Sequence, residues 1–117
     1  MAGYLTVRVI DSAHGRPAAG MTVELYRVEG ERRSLLRAVQ ADAEGRGDAA
    51  LLPEAEFRAG VYELVFHLGD YFDARFAPPE RPRALDEVPV RIGMAGPRPC
   101  HVALMVSPHG YATCLER

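Results

Sequence analysis

The sequence contains no lysine, no asparagine and no tryptophan, so all 14 of its basic residues are arginine. Without a lysine amine, the chain lacks the group that Schiff-base catalysis, covalent attachment of pyridoxal phosphate and a P-loop all require. Arginine stays charged in proteins and binds planar oxyanions through two parallel hydrogen bonds. The basic residues therefore favour anion binding over amine chemistry.

Cysteine is nearly absent as well. The two cysteines, Cys100 and Cys114, form no CxxC pair and cannot build a disulfide scaffold, so we predict a buried, unreactive thiol for each. We expect no signal peptide from the first residues, and no apolar run is long enough to span a membrane. We therefore expect a cytoplasmic protein with reduced thiols and no membrane partner.

The composition lacks the charge excess that disorder or nucleic-acid binding requires. Of the 117 residues, 48% are hydrophobic and 26% are charged, which is typical of globular proteins. The formal net charge of −2 provides no broad positive surface, so we expect no nucleic-acid partner. The length predicts a single domain over residues 1–117.

Short segments in which apolar and polar residues alternate follow one another along the chain, separated by glycine, proline and aspartate. The predicted strands cover residues 4–11, 21–28, 34–41, a short stretch at 51–57, then 61–68, 87–93, 99–106 and 110–116. Asp70–Phe76 is predicted as a short helix capped by Asp70. Pro89 predicts an edge strand or a bulge. The pattern indicates an all-β sandwich of seven to eight strands with one short helix.

The predicted strand at 99–106 is apolar on both faces. One face suits the core, and the other carries His101, Ala103 and Met105. The last strand is expected to place Ala112 and Cys114 beside them. We therefore predict that another subunit covers this outer face.

The four histidines are the candidates for acid–base chemistry near neutral pH. We expect His14 to be solvated in a loop, His67 to pack at a strand end and His109 to lie in a hairpin turn. His101 is the strongest candidate, because it lies mid-strand on the apolar outer face. No histidines or cysteines have the spacing of metal ligands, so we expect no metal.

Two nucleophile arrangements are disfavoured by the spacing of residues. Cys100 precedes His101 directly, so the two side chains lie on opposite faces of the strand and cannot form a dyad. None of the three serines lies in a nucleophile elbow.

A series of short motifs spans residues 4–114 in a fixed order. They are Leu5-Thr-Val-Arg-Val-Ile-Asp11, Gly15-Arg-Pro-Ala18, Val23-Glu-Leu-Tyr26, Asp42-Ala-Glu-Gly-Arg46, Tyr62-Glu-Leu-Val-Phe-His67 with Gly69-Asp-Tyr-Phe72, Val88-Pro-Val90, His101-Val-Ala-Leu104 and Gly110-Tyr111. Together they resemble the transthyretin-like family, and within it the 5-hydroxyisourate hydrolases of urate breakdown.

This resemblance implies a transthyretin-like (prealbumin-like) sandwich that forms a homotetramer, with sites for a small-molecule substrate at the subunit interface and no cofactor. It implies two catalytic residues, Arg46 in a loop and His101 on the seventh strand. The hydrolases' first-strand histidine falls on Arg8, and their Tyr-Arg-Gly-Ser tail falls on residues 114–117, which keep none of its four residues. Arg8 and Cys114 are therefore predicted as substrate-binding residues.

Three functions remain open on this basis. The first is hydrolysis of a cyclic ureide, 5-hydroxyisourate or a relative, in purine and urate catabolism. The second is a diverged enzyme that acts on another small cyclic substrate, for instance in specialised biosynthesis. The third is a non-catalytic protein that binds a small acidic molecule. The fold does not decide among them.

Overall fold

The structure is a computed structural model that describes residues 5–47, 51–75, 81–96 and 98–116. Within these residues the chain forms eight β-strands and one short α-helix. In chain order they are β1 (Leu5–Asp11), β2 (Arg16–Pro17), β3 (Thr22–Glu29), β4 (Arg32–Gln40), β5 (Gly60–His67), α1 (Leu68–Asp73), β6 (Glu87–Met94), β7 (Cys100–Ser107) and β8 (Gly110–Glu116).

The strands form two four-stranded sheets. The first sheet has the order β2-β1-β7-β8, and the second sheet has the order β4-β3-β5-β6. All neighbouring pairs are antiparallel except β1 and β7, which run parallel with Thr6 beside His101. The predicted all-β sandwich with a short helix is confirmed, and β6, which contains Pro89, is an edge strand as predicted.

The hydrophobic core lies between the sheets because the strands alternate buried and more accessible residues. In β1 every second residue is buried, from Leu5 to Asp11, and the intervening residues are partly accessible. The same alternation places Cys100, Val102 and Leu104 of β7 in the core. The other face of the first sheet is therefore built from the intervening residues of β1, β7 and β8.

The prediction of a strand at residues 51–57 is wrong. Only Leu52 makes a bridge, to Leu5, and Glu54–Glu56 forms one turn of 3₁₀ helix. Leu51 and Leu52 are buried beside β1, so the apolar residues reflect core packing and not a regular strand. The two-residue strand β2 lies between the predicted strands at 4–11 and 21–28, where no strand was predicted.

The helix begins earlier than predicted. It starts at Leu68, directly after β5, and Asp70 lies in its first turn. His67 occupies the cap position, and no side chain caps the helix there. The predicted end at Phe76 lies outside the described residues. The buried residues Leu68, Tyr71 and Phe72 anchor the helix to the core.

A fully buried carboxylate, Asp11 at the end of β1, ties the helix to the first sheet. Its Oδ2 accepts hydrogen bonds from the Tyr71 hydroxyl at 2.8 Å and from His14 Nδ1 at 2.6 Å. Its Oδ1 accepts the backbone N–H of His14 at 3.1 Å. His14 lies exposed in a turn, as predicted, but its ring also binds Asp11, which the sequence did not indicate.

Candidate functional site

The outer face of the first sheet collects the polar residues that the sequence singled out. The register places Arg8 of β1 opposite Ala103 of β7, and Ala103 opposite Cys114 of β8. The neighbouring row contains Thr6, His101 and Glu116. Residues paired in this way point to the same face of a sheet. The row of Arg8 and the row of His101 therefore lie side by side.

His101 is held by a hydroxyl on the neighbouring strand. Its Nδ1 lies 2.8 Å from Thr6 Oγ1, and both side chains are partly buried. Among the described residues, no protein group lies within hydrogen-bond distance of the other ring nitrogen, Nε2. His101 thus presents one nitrogen that can accept or donate a proton on the outer face.

The loop that carries Arg46 is shaped by Asp42. The Asp42 Oδ1 accepts the backbone N–H of Glu44 at 2.8 Å and that of Arg46 at 3.0 Å. The bond from the Arg46 N–H, followed by that from Glu44, lowers the pKa of Asp42 below its usual value. An aspartate that accepts backbone N–H groups in this way fixes a tight turn.

This loop lies directly against β1. The backbone N–H of Val9 donates to the Gly45 carbonyl at 2.7 Å, and Arg8 and Arg46 form an isolated antiparallel bridge. Gly45 has a φ of +80°, and a Cβ at this position would overlap the carbonyl oxygen of Val9. Glycine is therefore required at position 45, and it brings Arg46 next to Arg8.

The bridge pairs two arginines whose side-chain contacts are long. Arg8 Nε donates to the Glu44 carbonyl oxygen at a long 3.4 Å. The Arg46 side chain is 58% exposed, and its contact with the Glu44 carboxylate spans 3.9 Å. Such an exposed, long ion pair contributes little, so both cations remain available to an anion or to a developing oxyanion.

Cys114 lies on this same face, in the row of Arg8. The prediction that its thiol is buried is wrong, because the side chain is exposed while Cys100 is buried. The reason is the position of β8 at the edge of the first sheet, where every residue from Tyr111 to Glu116 is exposed. Arg117, the last residue of the predicted tail, lies outside the described residues.

The structure therefore brings together all four residues predicted for the site. Arg8, His101 and Cys114 lie on neighbouring strands of one face, and the bridge adds Arg46 at its edge. Thr6 was missed, although its hydroxyl lies two residues before Arg8 and so on the same face.

The described residues hold no group of three His, Cys, Asp or Glu side chains arranged to bind a metal ion. Within the same part of the chain, no helix has the length and apolar character needed to cross a membrane.

Comparison with known proteins gives a consistent result. Residues 5–114 match the model of the HIUase/Transthyretin family. A 5-hydroxyisourate hydrolase of Mesorhizobium japonicum is 51% identical over 111 residues, which cover 95% of this chain and 90% of that protein.

Two solved structures have the same architecture. An (S)-allantoin synthase superposes with a TM-score of 0.88 at 32% identity, over 98% of this chain but only 44% of that longer chain. A 5-hydroxyisourate hydrolase of Klebsiella pneumoniae superposes with a TM-score of 0.77 at 28% identity, over 98% of this chain and 94% of that one.

Proposed function

Because the chain belongs to the HIUase/Transthyretin family, we propose that it is an enzyme that hydrolyses 5-hydroxyisourate in purine catabolism. The observation that supports this proposal is that both predicted catalytic residues lie next to β1: the partly buried His101 is 2.8 Å from Thr6, and Arg46 forms a bridge with Arg8. An imidazole can serve as the general base and a cation can stabilise the oxyanion when water opens a cyclic amide.

His101 acts as the general base in this proposal. Its Nε2 takes a proton from a water molecule, and the resulting hydroxide attacks a ring carbonyl carbon. The Arg46 guanidinium donates to the carbonyl oxygen as that oxygen becomes negative. The tetrahedral intermediate then collapses, the ring C–N bond breaks, and His101 returns its proton to the leaving nitrogen. Water is consumed and no redox step occurs, so the step balances without an oxidant or a reductant.

Arg8 and Cys114 bind substrate in this proposal. A guanidinium stays protonated and cannot serve as a base near neutral pH, so Arg8 does not replace the histidine that the hydrolases carry on their first strand. It instead binds an anionic oxygen of the substrate ring, next to Arg46. The Cys114 side chain, opposite Ala103, supplies a small and polarisable surface for the ring.

The proposal includes a homotetramer in the cytoplasm, with sites for the small-molecule substrate at the subunit interface and residues 1–117 as one domain. Exposed apolar residues on the outer face support its coverage by another subunit. Met105 is 51% exposed and lies beside Ala112 of β8. A second subunit seated on this face would exclude water from around His101 and strengthen its polar contacts.

The assembly is tested by charging this apolar surface. We expect Met105→Glu to convert the tetramer into smaller species and to reduce activity in parallel, because a carboxylate in a dry interface is costly to desolvate. Mass photometry and sedimentation velocity report the state. Leu35→Glu is the matched control, because Leu35 is 54% exposed on β4 of the other sheet. A wild-type monomer at micromolar concentration would remove the interface from the proposal.

A diverged substrate is the second candidate, and the observation that favours it is Arg8 beside Arg46 in place of a titratable histidine. The comparison of wild type with Arg8→His distinguishes hydrolysis of 5-hydroxyisourate from action on a diverged substrate. The assay follows the ultraviolet absorbance of freshly generated 5-hydroxyisourate. We expect wild type to accelerate its decay and Arg8→His to raise KM, because the substrate loses one cation.

A wild type that is inactive, together with an Arg8→His variant that hydrolyses 5-hydroxyisourate, would instead establish the diverged substrate. If Arg8→His equals an active wild type in both kcat and KM, Arg8 is a solvated surface residue with no part in binding.

A further inference from the structure

The hydrogen bond between Thr6 and His101 joins two residues that are 95 positions apart in the sequence. They meet because β1 and β7 run parallel and place them side by side on the outer face. Threonine is branched at Cβ, so its side chain has few rotamers and its hydroxyl has a fixed position on a strand. The imidazole ring of His101 is thereby anchored through Nδ1 to a rigid point.

We propose that Thr6 is the positioning residue of the site, and that His101 donates its Nδ1–H to Thr6 Oγ1 so that Nε2 keeps its lone pair for the reacting water. This inference rests on the proposed function for its consequence in catalysis. The tautomer itself is a property of the protein without substrate and can be measured separately.

The proposed direction of the hydrogen bond between His101 and Thr6 is the one that is kept when His101 takes up a proton. If His101 donates to Thr6, the same bond is kept when Nε2 takes a proton, because both ring nitrogens of the imidazolium are donors. If Thr6 donated to Nδ1, proton uptake would place two donors against each other, and the hydroxyl would have to rotate. The first arrangement holds the ring still through the reaction.

Glu116 is the other side chain in the row of His101, and it does not take this role. The register places it opposite His101 on β8, but the side chain is exposed, and no hydrogen bond joins the two residues in the described part of the chain. An orienting hydroxyl, in contrast to a carboxylate, adds no negative charge beside the ring. Thr6 thus controls the geometry and the tautomer of the His101 ring, and it does not change the charge around the ring.

The test uses three variants of the full chain. Thr6→Val removes the hydroxyl at nearly constant shape, Thr6→Ser keeps a hydroxyl, and Thr22→Val makes the same change on β3 of the second sheet. We expect kcat of Thr6→Val to fall about 10- to 100-fold, by analogy with the loss of a partner that orients a metal-binding imidazole. We expect KM to stay constant, Thr6→Ser to recover most of kcat, and Thr22→Val to match wild type.

Nitrogen-15 NMR of labelled histidine provides a readout that needs no substrate. The His101 signals are assigned by their absence in His101→Ala. In wild type we expect a protonated Nδ1 and an unprotonated Nε2, and in Thr6→Val a mixture of the two tautomers. A proton on Nε2 in wild type, or an unchanged tautomer and kcat in Thr6→Val, overturns the proposal.

The kinetic and the NMR measurements distinguish failure of the proposed function from failure of the proposed role of Thr6. If wild type fails to hydrolyse 5-hydroxyisourate, the proposed function fails, and the tautomer still decides the role of Thr6. If Thr6→Val does not fold, the wild-type spectrum and Thr6→Ser decide it.

Discussion

Alanine at His101 or at Arg46 should remove most of the activity, and alanine at both should remove little more. The loss of a general base costs about 10²- to 10⁴-fold in rate, and the loss of one oxyanion donor costs about 10²- to 10³-fold. Both residues act in the same transition state, so their effects are not additive. The measurement is kcat/KM for the two single variants and the double variant on 5-hydroxyisourate.

Two matched variants control for surface changes of the same kind. His109→Ala alters the exposed histidine of the β7–β8 turn, and Arg32→Ala alters an exposed arginine at the start of β4. We expect both controls to retain wild-type rates and all five variants to keep the wild-type Tm, because none of these residues lies in the core. Full turnover by His101→Ala would place the chemistry elsewhere on the outer face.

The largest stability effect is expected at Asp11. Asp11→Ala removes a fully buried carboxylate that accepts hydrogen bonds from the Tyr71 hydroxyl and the His14 ring. We expect the free energy of unfolding to fall by about 3 kcal/mol, which corresponds to a Tm lower by roughly 10 to 15 °C. Thermal unfolding at one fixed protein concentration measures the change.

A double-mutant cycle identifies the cause. Adding Tyr71→Phe to Asp11→Ala removes the orphaned hydroxyl, so the double variant should be more stable than the sum of the single losses predicts. Glu31→Ala, in the exposed turn between β3 and β4, should change the free energy of unfolding by no more than about 0.5 kcal/mol. Simple additivity of Asp11→Ala and Tyr71→Phe would contradict a direct interaction.

Asp11 and Tyr71 make the free energy of unfolding depend on pH, Asp11 at acidic pH and Tyr71 at alkaline pH. Burial raises the pKa of Asp11, but the hydrogen bonds from Tyr71 and His14 outweigh burial and hold the pKa below the ordinary 3.8. The Asp11 contribution is therefore present above pH 3.8 and is lost as the pH falls through the lower folded value.

Burial and the bond to Asp11 raise the pKa of Tyr71 from 10 to about 12, so its contribution is lost as the pH rises from 10 towards 12.

The strands could be predicted because their residues alternate. Leu5, Val7 and Val9 face the core and the residues between them do not, so β1 was predicted to within one residue. Residues 51–57 were wrongly predicted as a strand, because Leu51 and Leu52 are buried by packing against β1 and not through a ladder of their own. A short apolar run has no period that separates these two cases.

The site could be predicted only in part for a related reason. The pattern of β7 indicated its apolar outer face and His101 as a candidate on it, and the family resemblance added the role of Arg46. The contact of Thr6 with His101 requires the register of two strands that are distant in sequence. The exposure of Cys114 could not be predicted, because it depends on the position of β8 at the edge of the sheet, which no local pattern indicates.

The parallel pairing of β1 with β7 also has a consequence during synthesis. A ribosome adds about 5 to 20 residues per second, so the first strand waits roughly 5 to 20 s for its partner on the other side of 95 residues. During that time the edge of β1 that pairs with β7 has no partner, and an open strand edge of this kind favours aggregation. Arg8 places a positive charge at the middle of this strand, and such a charge interrupts a hydrophobic run that would otherwise pair with other nascent chains.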